Sequence, residues 1–197
     1  MSATRFEKKF VVTAKQAAIL ENFFSQNVIT SYKVSSIYYD TSDLDSFLEV
    51  IEGANFKTKY RVRFYNDSLA EVFWERKEKE NKLSTKKRWL IPEYKSDFSP
   101  WDVPLALRAS KKLSPKIEIS YTRKVLADQN GERLTLDKDV VYKKMNASAP
   151  DKKLEGCYIF EVKFSRKLSA RTAMILNTTQ IREKNFSKYV TCMNKIL

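Results

Sequence analysis

The chain has 197 residues, 43% of them hydrophobic and 13% aromatic, which points to one folded domain over residues 1–197 and excludes a disordered chain. A formal net charge of +13 implies a polyanionic partner. The absence of histidine excludes Ser–His–Asp and Cys–His nucleophiles and every His-ligated metal site, so any catalysis rests on carboxylates, cations, tyrosine or a hard metal held by oxygen.

Residues 5–12 alternate polar and apolar and predict a strand. Thr13 is placed to cap a helix over 14–26, with Ala18, Leu20, Phe23 and Phe24 as its apolar stripe. Residues 33–39 read as a second strand, ended by Asp40-Thr41-Ser42-Asp43 as a turn or helix start. Residues 57–66, 70–78 and 84–91 read as a meander of three strands, the last two joined by the polar Lys79-Glu80-Asn81-Lys82. The proline-bearing segment 93–114 crosses the sheet, with a helical pattern at 103–110 and Trp101 as its anchor. Residues 116–126 and 132–141 predict a hairpin around Asp128-Gln129-Asn130-Gly131. A polar loop at 144–155 leads to a strand at 157–164, and helices are expected at 168–178 and 187–196.

Eight strands with short connections and few helices predict an α+β protein built on an eight-stranded, closed antiparallel barrel flanked by helices. Three glycines exclude a phosphate-binding P-loop and a dinucleotide fingerprint. The N-terminus has no apolar core of a secretory signal, and no segment approaches the roughly 20 apolar residues of a membrane span. Cys157 and Cys192 are expected as thiols in a reducing cytoplasm.

Charged residues spaced two apart recur along the predicted strands: Arg5-x-Glu7-x-Lys9, Arg61-x-Arg63, Glu75-x-Lys77, Lys86-x-Arg88 and Glu161-x-Lys163, with Arg123 and Arg133. Like-facing strand residues lie roughly 7 Å apart, so each pair shares one face. The opposite face takes Phe6, Phe10, Tyr60, Val62, Phe64, Trp74, Trp89, Phe160 and Val162, which are expected to pack under the helices. On strand 116–126 the same parity sends Ile117 and Ile119 to the face of Tyr121 and Arg123, which calls for a bulge or an apolar plug at one end.

If the charged face lines a closed barrel, close cation pairs repel by about 4 kcal/mol each at an effective dielectric near 20. A chain of phosphates relieves that repulsion and matches forked guanidiniums. Glu161 is then the best candidate ligand for Mg²⁺ or Mn²⁺ shared with phosphate oxygens. Glu7 and Glu75 are further candidates, for which a simple ion pair is the preferred reading.

In order, Arg5-Phe-Glu-Lys-Lys9-Phe, Tyr38-Tyr39-Asp40-Thr41, Tyr60-Arg61-Val62-Arg63-Phe64-Tyr65, Glu75-Arg-Lys77, Lys86-Lys-Arg88, Tyr121-Thr-Arg123, Arg133-Leu-Thr-Leu-Asp137, Phe160-Glu161-Val-Lys163 and Phe186-Ser187-Lys188-Tyr189 make up a pattern over almost the whole chain. The set resembles the triphosphate tunnel metalloenzymes and, among them, the vacuolar transporter chaperone (VTC) domain. The tunnel family opens on Glu-x-Glu-x-Lys; Arg5 at the first acidic position departs from this and matches the VTC branch.

The resemblance implies an eight-stranded tunnel that transfers the γ-phosphate of ATP onto a growing inorganic polyphosphate with Mn²⁺ or Mg²⁺. It assigns Lys9, Arg61, Arg63, Lys77, Lys86, Arg123, Arg133 and Lys188 to phosphates, Tyr121 and Ser187 to the triphosphate, and Glu161 to the metal. Arg88 and Lys163 join the lining by their strand faces. Two alternatives share these residues: a tripolyphosphatase or nucleoside triphosphatase, and a non-catalytic polyphosphate-binding module. Specific nucleic-acid binding is disfavoured because Tyr60, Phe64 and Trp74 fall on the face opposite the arginines. VTC domains often belong to membrane assemblies, so a membrane-protein partner is compatible; the oligomeric state is left open.

Overall fold

The computed structural model describes residues 6–25, 30–81, 83–95, 97–100, 102–129, 132–145 and 150–197, the side chains of 127–129 apart. The strands are β1 (Phe6–Val12), β2 (Thr30–Asp40), β3 (Phe56–Tyr65), β4 (Ser68–Glu80), β5 (Leu83–Ile91), β6 (Ser114–Gln129), β7 (Glu132–Lys144), the two-residue β8 (Lys152–Lys153) and β9 (Tyr158–Phe164). The helices are α1 (Ala14–Phe23), α2 (Asp45–Ile51), α3 (Ala170–Thr178) and α4 (Lys188–Met193). The expected α+β class and its eight long strands are present. The expected Arg5, Lys82 and Trp101, and the Asn130-Gly131 turn, lie outside the described residues.

The hydrogen-bonded order is β1-β9-β7-β6-β2-β3-β4-β5, with β8 beside β7. This order has two ends, so the expected closed barrel is corrected: among the described residues the ladder is open. The reason is visible on β5, whose Lys86, Lys87 and Arg88 are exposed. Charge on an edge strand discourages further pairing.

The chain forms two compact units, of which the first comprises residues 1–32, 121–140 and 153–187. Here β1 pairs antiparallel with β9, and β9 with β7. Thr13 caps α1 as expected: its hydroxyl accepts from the Gln16 amide at 3.2 Å, and its own amide donates to Gln16 Oε1 at 2.9 Å. The helix buries Ala17 and Leu20, with Phe24 just beyond it, while Ala18 faces solvent. These residues join Phe10, Val12, Leu134, Leu136, Phe160 and Val162 in one core with Ile175 and Leu176 of α3. The start of α3 is tied down by Glu132, whose carboxylate accepts from the Ser169 amide at 2.6 Å and hydroxyl at 2.8 Å. Phe6, expected in this core, is 50% exposed at the sheet end and stacks on Phe164 with ring centroids 5.6 Å apart.

The second unit comprises residues 33–120, 141–152 and 188–197. β2, β3, β4 and β5 pair antiparallel in sequence order. Asn66 and Asp67 join β3 to β4 with φ of 52° and 55°, the two left-handed residues of a type I′ turn. Tyr60, Val62, Phe64 and Trp74 form the core as expected, joined by Ile37 and Tyr39, with Trp89 only partly buried against it. Their cover is not a helix but the irregular segment between β5 and β6, which buries Val103 and Leu107. Trp74 Nε1 donates to the Leu107 carbonyl at 3.2 Å, and Phe98 sits 5.7 Å from the Trp74 ring. Of the helix expected at 103–110 only a 3-10 turn at Leu105–Leu107 forms.

The Asp40-Thr41-Ser42-Asp43 segment, expected as a turn or helix start, leads into α2. This helix forms because the buried Asp40 carboxylate accepts from the backbone amides of Thr41 (2.8 Å), Ser46 (2.9 Å) and Phe47 (3.1 Å), gathering donors that an isolated short helix leaves exposed. On β6, Ile117, Ile119 and Tyr121 are buried in unbroken alternation, so the apolar stretch there requires no bulge. Among the described residues, no helix is long and apolar enough to cross a membrane.

Candidate functional site

The second unit holds a fully buried carboxylate, Glu75, encircled by cations. Strand register sets Arg61 and Arg88 directly beside it on β3 and β5. Arg61 donates to Glu75 Oε2 from Nε at 2.7 Å and Nη2 at 2.5 Å. Arg63 Nη1 lies 3.9 Å from the same oxygen, while Lys86 Nζ and Arg88 Nε lie 3.2 and 3.5 Å from Oε1. Four cations against one acid leave a net positive cluster. Burial pushes the Glu75 carboxyl up, but Arg61, Arg63 and Lys86 outweigh it and hold the group well below the usual carboxylate range. For Lys86, whose side chain is only partly exposed, desolvation together with Arg61 and Arg63 outweighs Glu75, and its ammonium titrates below the usual lysine range.

The guanidiniums are aimed by neighbouring side chains. Arg61 Nη1 donates to the Tyr38 hydroxyl at 3.1 Å, Arg63 Nε to Ser36 Oγ at 3.0 Å, and Arg88 Nη2 to the Tyr65 hydroxyl at 3.2 Å. Arg88 also lies over the Phe73 ring. Burial raises the Tyr38 hydroxyl, but Arg61, Arg63 and Lys188 together bring it below the ordinary tyrosine value. Lys188 at the start of α4 therefore belongs electrostatically to this cluster. Tyr189 stacks on Tyr38 at 5.0 Å and donates to Asp40 Oδ2 at 2.6 Å. Lys77 faces Lys86 across β4 and β5, one row along from Glu75.

The first unit holds the other expected residues. Arg123 grips Asp137, which is fully buried, through Nε at 2.6 Å and Nη2 at 2.8 Å, and lies over the Tyr121 ring at 5.4 Å. Burial opposes its charge, yet Asp137 holds the guanidinium well above its ordinary value. Glu161 sits opposite Lys9 on β1 and Thr135 on β7; Lys163 sits opposite Glu7 and Arg133. Lys163 Nζ is 3.0 Å from Glu161 and 3.9 Å from Glu7, whose carboxylate also meets Lys9 at 2.9 Å. Arg133 reaches the Tyr32 hydroxyl at 3.5 Å. Ser187 is half-buried immediately before α4.

Among the described residues, no three acidic, cysteine or histidine side chains gather as a metal cage. Glu161 fits a different type of site, in which one carboxylate shares a hard cation with phosphate oxygens. It is buried, and the hydroxyl of Thr135, its partner across the ladder, is buried without a hydrogen bond. That orphaned oxygen is the local sign of a missing polar neighbour.

Sequence reasoning missed Asp137, Thr135, Tyr38 and Lys59. Asp137 and Tyr38 stand inside quoted motifs, but only cross-strand register reveals that each anchors an arginine. Lys59 continues the parity of Arg61 and Arg63 and was available to the same alternation argument.

The VTC domain family matches the chain over residues 4–99 and 105–197. No curated protein matches it. Among solved structures, a candidate adenylate cyclase from Bacillus halodurans is similar with a TM-score of 0.62 and 13% identity, over 96% of each chain. The adenylyl cyclase candidate HpAC1 from Hippeastrum, described as having a dominant triphosphatase activity, gives 0.58 and 13% over 98% of this chain and 96% of its own. The PH1819 protein from Pyrococcus horikoshii gives 0.57 and 14%, over 96% of each. These likenesses are of fold. The chain belongs to the VTC domain family, on the triphosphate tunnel fold.

Proposed function

We propose that this protein is a metal-dependent phosphotransferase that moves the γ-phosphate of ATP onto the end of an inorganic polyphosphate chain. The observation that carries the reading is the Glu75 cluster, in which four cations converge on one buried carboxylate and stay net positive. Such a surface asks for a dense anion, and membership of the VTC family narrows the anion to a phosphate chain. Phosphoryl transfer needs positioning and charge neutralisation more than a protein nucleophile, which suits a chain without histidine. In the step, the bond from the γ-phosphorus to the bridging oxygen of ADP breaks. A terminal oxygen of the acceptor chain bonds to that phosphorus, and the polymer grows by one unit.

Lys9, Arg61, Arg63, Lys77, Lys86, Arg88, Arg123 and Arg133 are assigned to binding phosphate and neutralising the equatorial charge. Tyr121, Lys163, Ser187 and Lys188 are assigned to substrate contacts. Glu161 is assigned to Mn²⁺ or Mg²⁺, which when bound neutralises phosphate charge; Glu7 and Glu75 act as ion-pair partners. One working domain across the chain, a cytoplasmic setting and a membrane-protein partner belong to the same proposal.

The test is to incubate the purified protein with ATP and Mn²⁺ and resolve the products by size. Long-chain polyphosphate supports the reading. Orthophosphate alone replaces it with a triphosphatase, the second reading that the same residues permit. Binding of tripolyphosphate with no turnover replaces it with a binding module.

A further inference from the structure

Thr135 on β7 is 3% exposed, and its hydroxyl has no hydrogen bond. Buried polar groups are as a rule partnered, and leaving one unpaired costs more than the bond itself contributes. Among the described residues one other buried side-chain atom lacks a partner, Arg76 Nε. That guanidinium is engaged through its other nitrogens, with Glu78 at 2.6 Å and the Arg108 carbonyl at 3.2 Å. Thr135 has no other polar side-chain atom. The buried Thr41 and Thr172 use theirs, on the Asp45 amide at 3.1 Å and on Glu132 at 2.9 Å. Packing alone does not account for the residue, because valine has nearly its shape and a strong strand preference, with no hydroxyl to satisfy.

Leu134 and Leu136 on either side of Thr135 enter the core, so Thr135 takes the opposite, charged face of β7 with Arg133 and Asp137. Those two neighbours have other partners: Asp137 holds Arg123, and Arg133 reaches Tyr32. Across the ladder Thr135 faces Glu161, which in turn faces Lys9. Directly opposite residues have Cβ atoms roughly 4.5–5.5 Å apart. A threonine hydroxyl stands one bond from its Cβ, whereas a glutamate carboxylate extends well past its own. A cation on Glu161 is therefore beyond direct reach of Thr135, but a water in the shell of that cation is not, and Mg²⁺ characteristically keeps several waters when bound. We infer that Thr135 is a positioning residue for the cation assigned to Glu161, its hydroxyl accepting a hydrogen bond from a cation-bound water. This rests on the functional reading above, in which Glu161 holds Mn²⁺ or Mg²⁺, and adds a second protein residue to that site.

The test uses the full chain as wild type, Thr135→Val, Thr135→Ser and Glu161→Gln. The probe is the β,γ-methylene analogue of ATP, whose γ-phosphate cannot be transferred. Its affinity is first measured calorimetrically in EDTA. With protein in excess over the analogue, Mn²⁺ is then titrated in, and the electron paramagnetic resonance of free Mn²⁺ reports the ion held. In EDTA, Thr135→Val is expected to bind the analogue like the wild type, because the cations remain. It is expected to need about 10–100-fold more Mn²⁺ for the same occupancy, the loss typical when an outer-shell partner is removed. Thr135→Ser retains the hydroxyl and is expected to stay within a few-fold of the wild type. Deleting an orphaned hydroxyl should leave the metal-free thermal midpoint of Thr135→Val level or higher, so a lost fold does not mimic the result. Unchanged Mn²⁺ occupancy in Thr135→Val overturns the inference and leaves the Glu161 site standing. A loss that Thr135→Ser shares in full assigns the effect to the methyl group and overturns it too. Weaker analogue binding by Thr135→Val in EDTA moves the hydroxyl to a phosphate oxygen and overturns its role at the cation. Wild-type Mn²⁺ occupancy in Glu161→Gln removes the cation from Glu161, and the metal site of the functional reading falls together with the inference.

Discussion

Tyr189, the second residue of α4, donates its hydroxyl to Asp40 at the end of β2, 2.6 Å away and out of reach of solvent. The same carboxylate organises the start of α2, and Tyr189 stacks on Tyr38, which receives the Arg61 guanidinium. The contact therefore fixes the helix that carries Lys188 beside the residues around Glu75.

Tyr189→Phe removes one donor from a buried carboxylate. The expected cost is about 1–3 kcal/mol of unfolding free energy, measured by denaturant titration. Weaker binding of triphosphate is expected to accompany it, as a rise in KM larger than the fall in kcat, because Lys188 is displaced rather than removed. Equal loss through Lys188→Ala and Tyr189→Phe, with no additional loss in the double variant, is the signature of one acting through the other.

Glu75→Gln leaves the buried Arg63 and the half-buried Arg61 without this carboxylate. Breaking a buried pair from one side costs about 3–5 kcal/mol, read as a lower chemical denaturation midpoint. An anion supplies the missing charge, so tripolyphosphate is expected to raise the thermal midpoint of this variant by more than it raises that of the wild type. A smaller rise contradicts the electrostatic account of the cluster.

The same carboxyl sets an acid limb. Its folded pKa lies below the ordinary glutamate value of about 4.3, so its contribution is fully present above that value and is lost as pH falls through the folded pKa. Unfolding free energy is expected to decline below about pH 4 in the wild type and to decline less steeply over that range in Glu75→Gln. Parallel curves for the two proteins exclude Glu75 as the source.

Much of this was legible in the chain. The alternation of Arg61, Val62 and Arg63, or of Phe160, Glu161 and Val162, places each side chain on its face without knowledge of a partner strand, and the burial of Val62 and Val162 agrees. The Thr13 cap was readable because its partner, Gln16, is three residues away. What was hidden depends on register. Asp40 reads as part of a turn or helix start, and its nearby amide donors at Thr41, Ser46 and Phe47 fit that, but the distant Tyr189 hydroxyl is brought to it only by the fold. Arg123 and Asp137 are 14 residues apart and meet only because β6 and β7 are neighbours. Closure misled for the same reason: the number of strands is a property of the sequence pattern, whereas pairing of the outermost two is not.

Glu161→Gln separates binding from turnover. The variant is expected to keep tripolyphosphate affinity within a few-fold, since the cations remain, and to lose activity that Mn²⁺ restores in the wild type after chelation. Full activity in the variant removes Glu161 from the metal site.

The central claim is transfer of the terminal phosphate, and the fate of label tests it most directly. With ATP labelled at the γ-phosphorus, in Mn²⁺, the label is predicted to enter long-chain polyphosphate, and with ATP labelled at the α-phosphorus it is predicted to stay in ADP. Label from the γ position found only in orthophosphate, or label from the α position found in a cyclic nucleotide, contradicts the account.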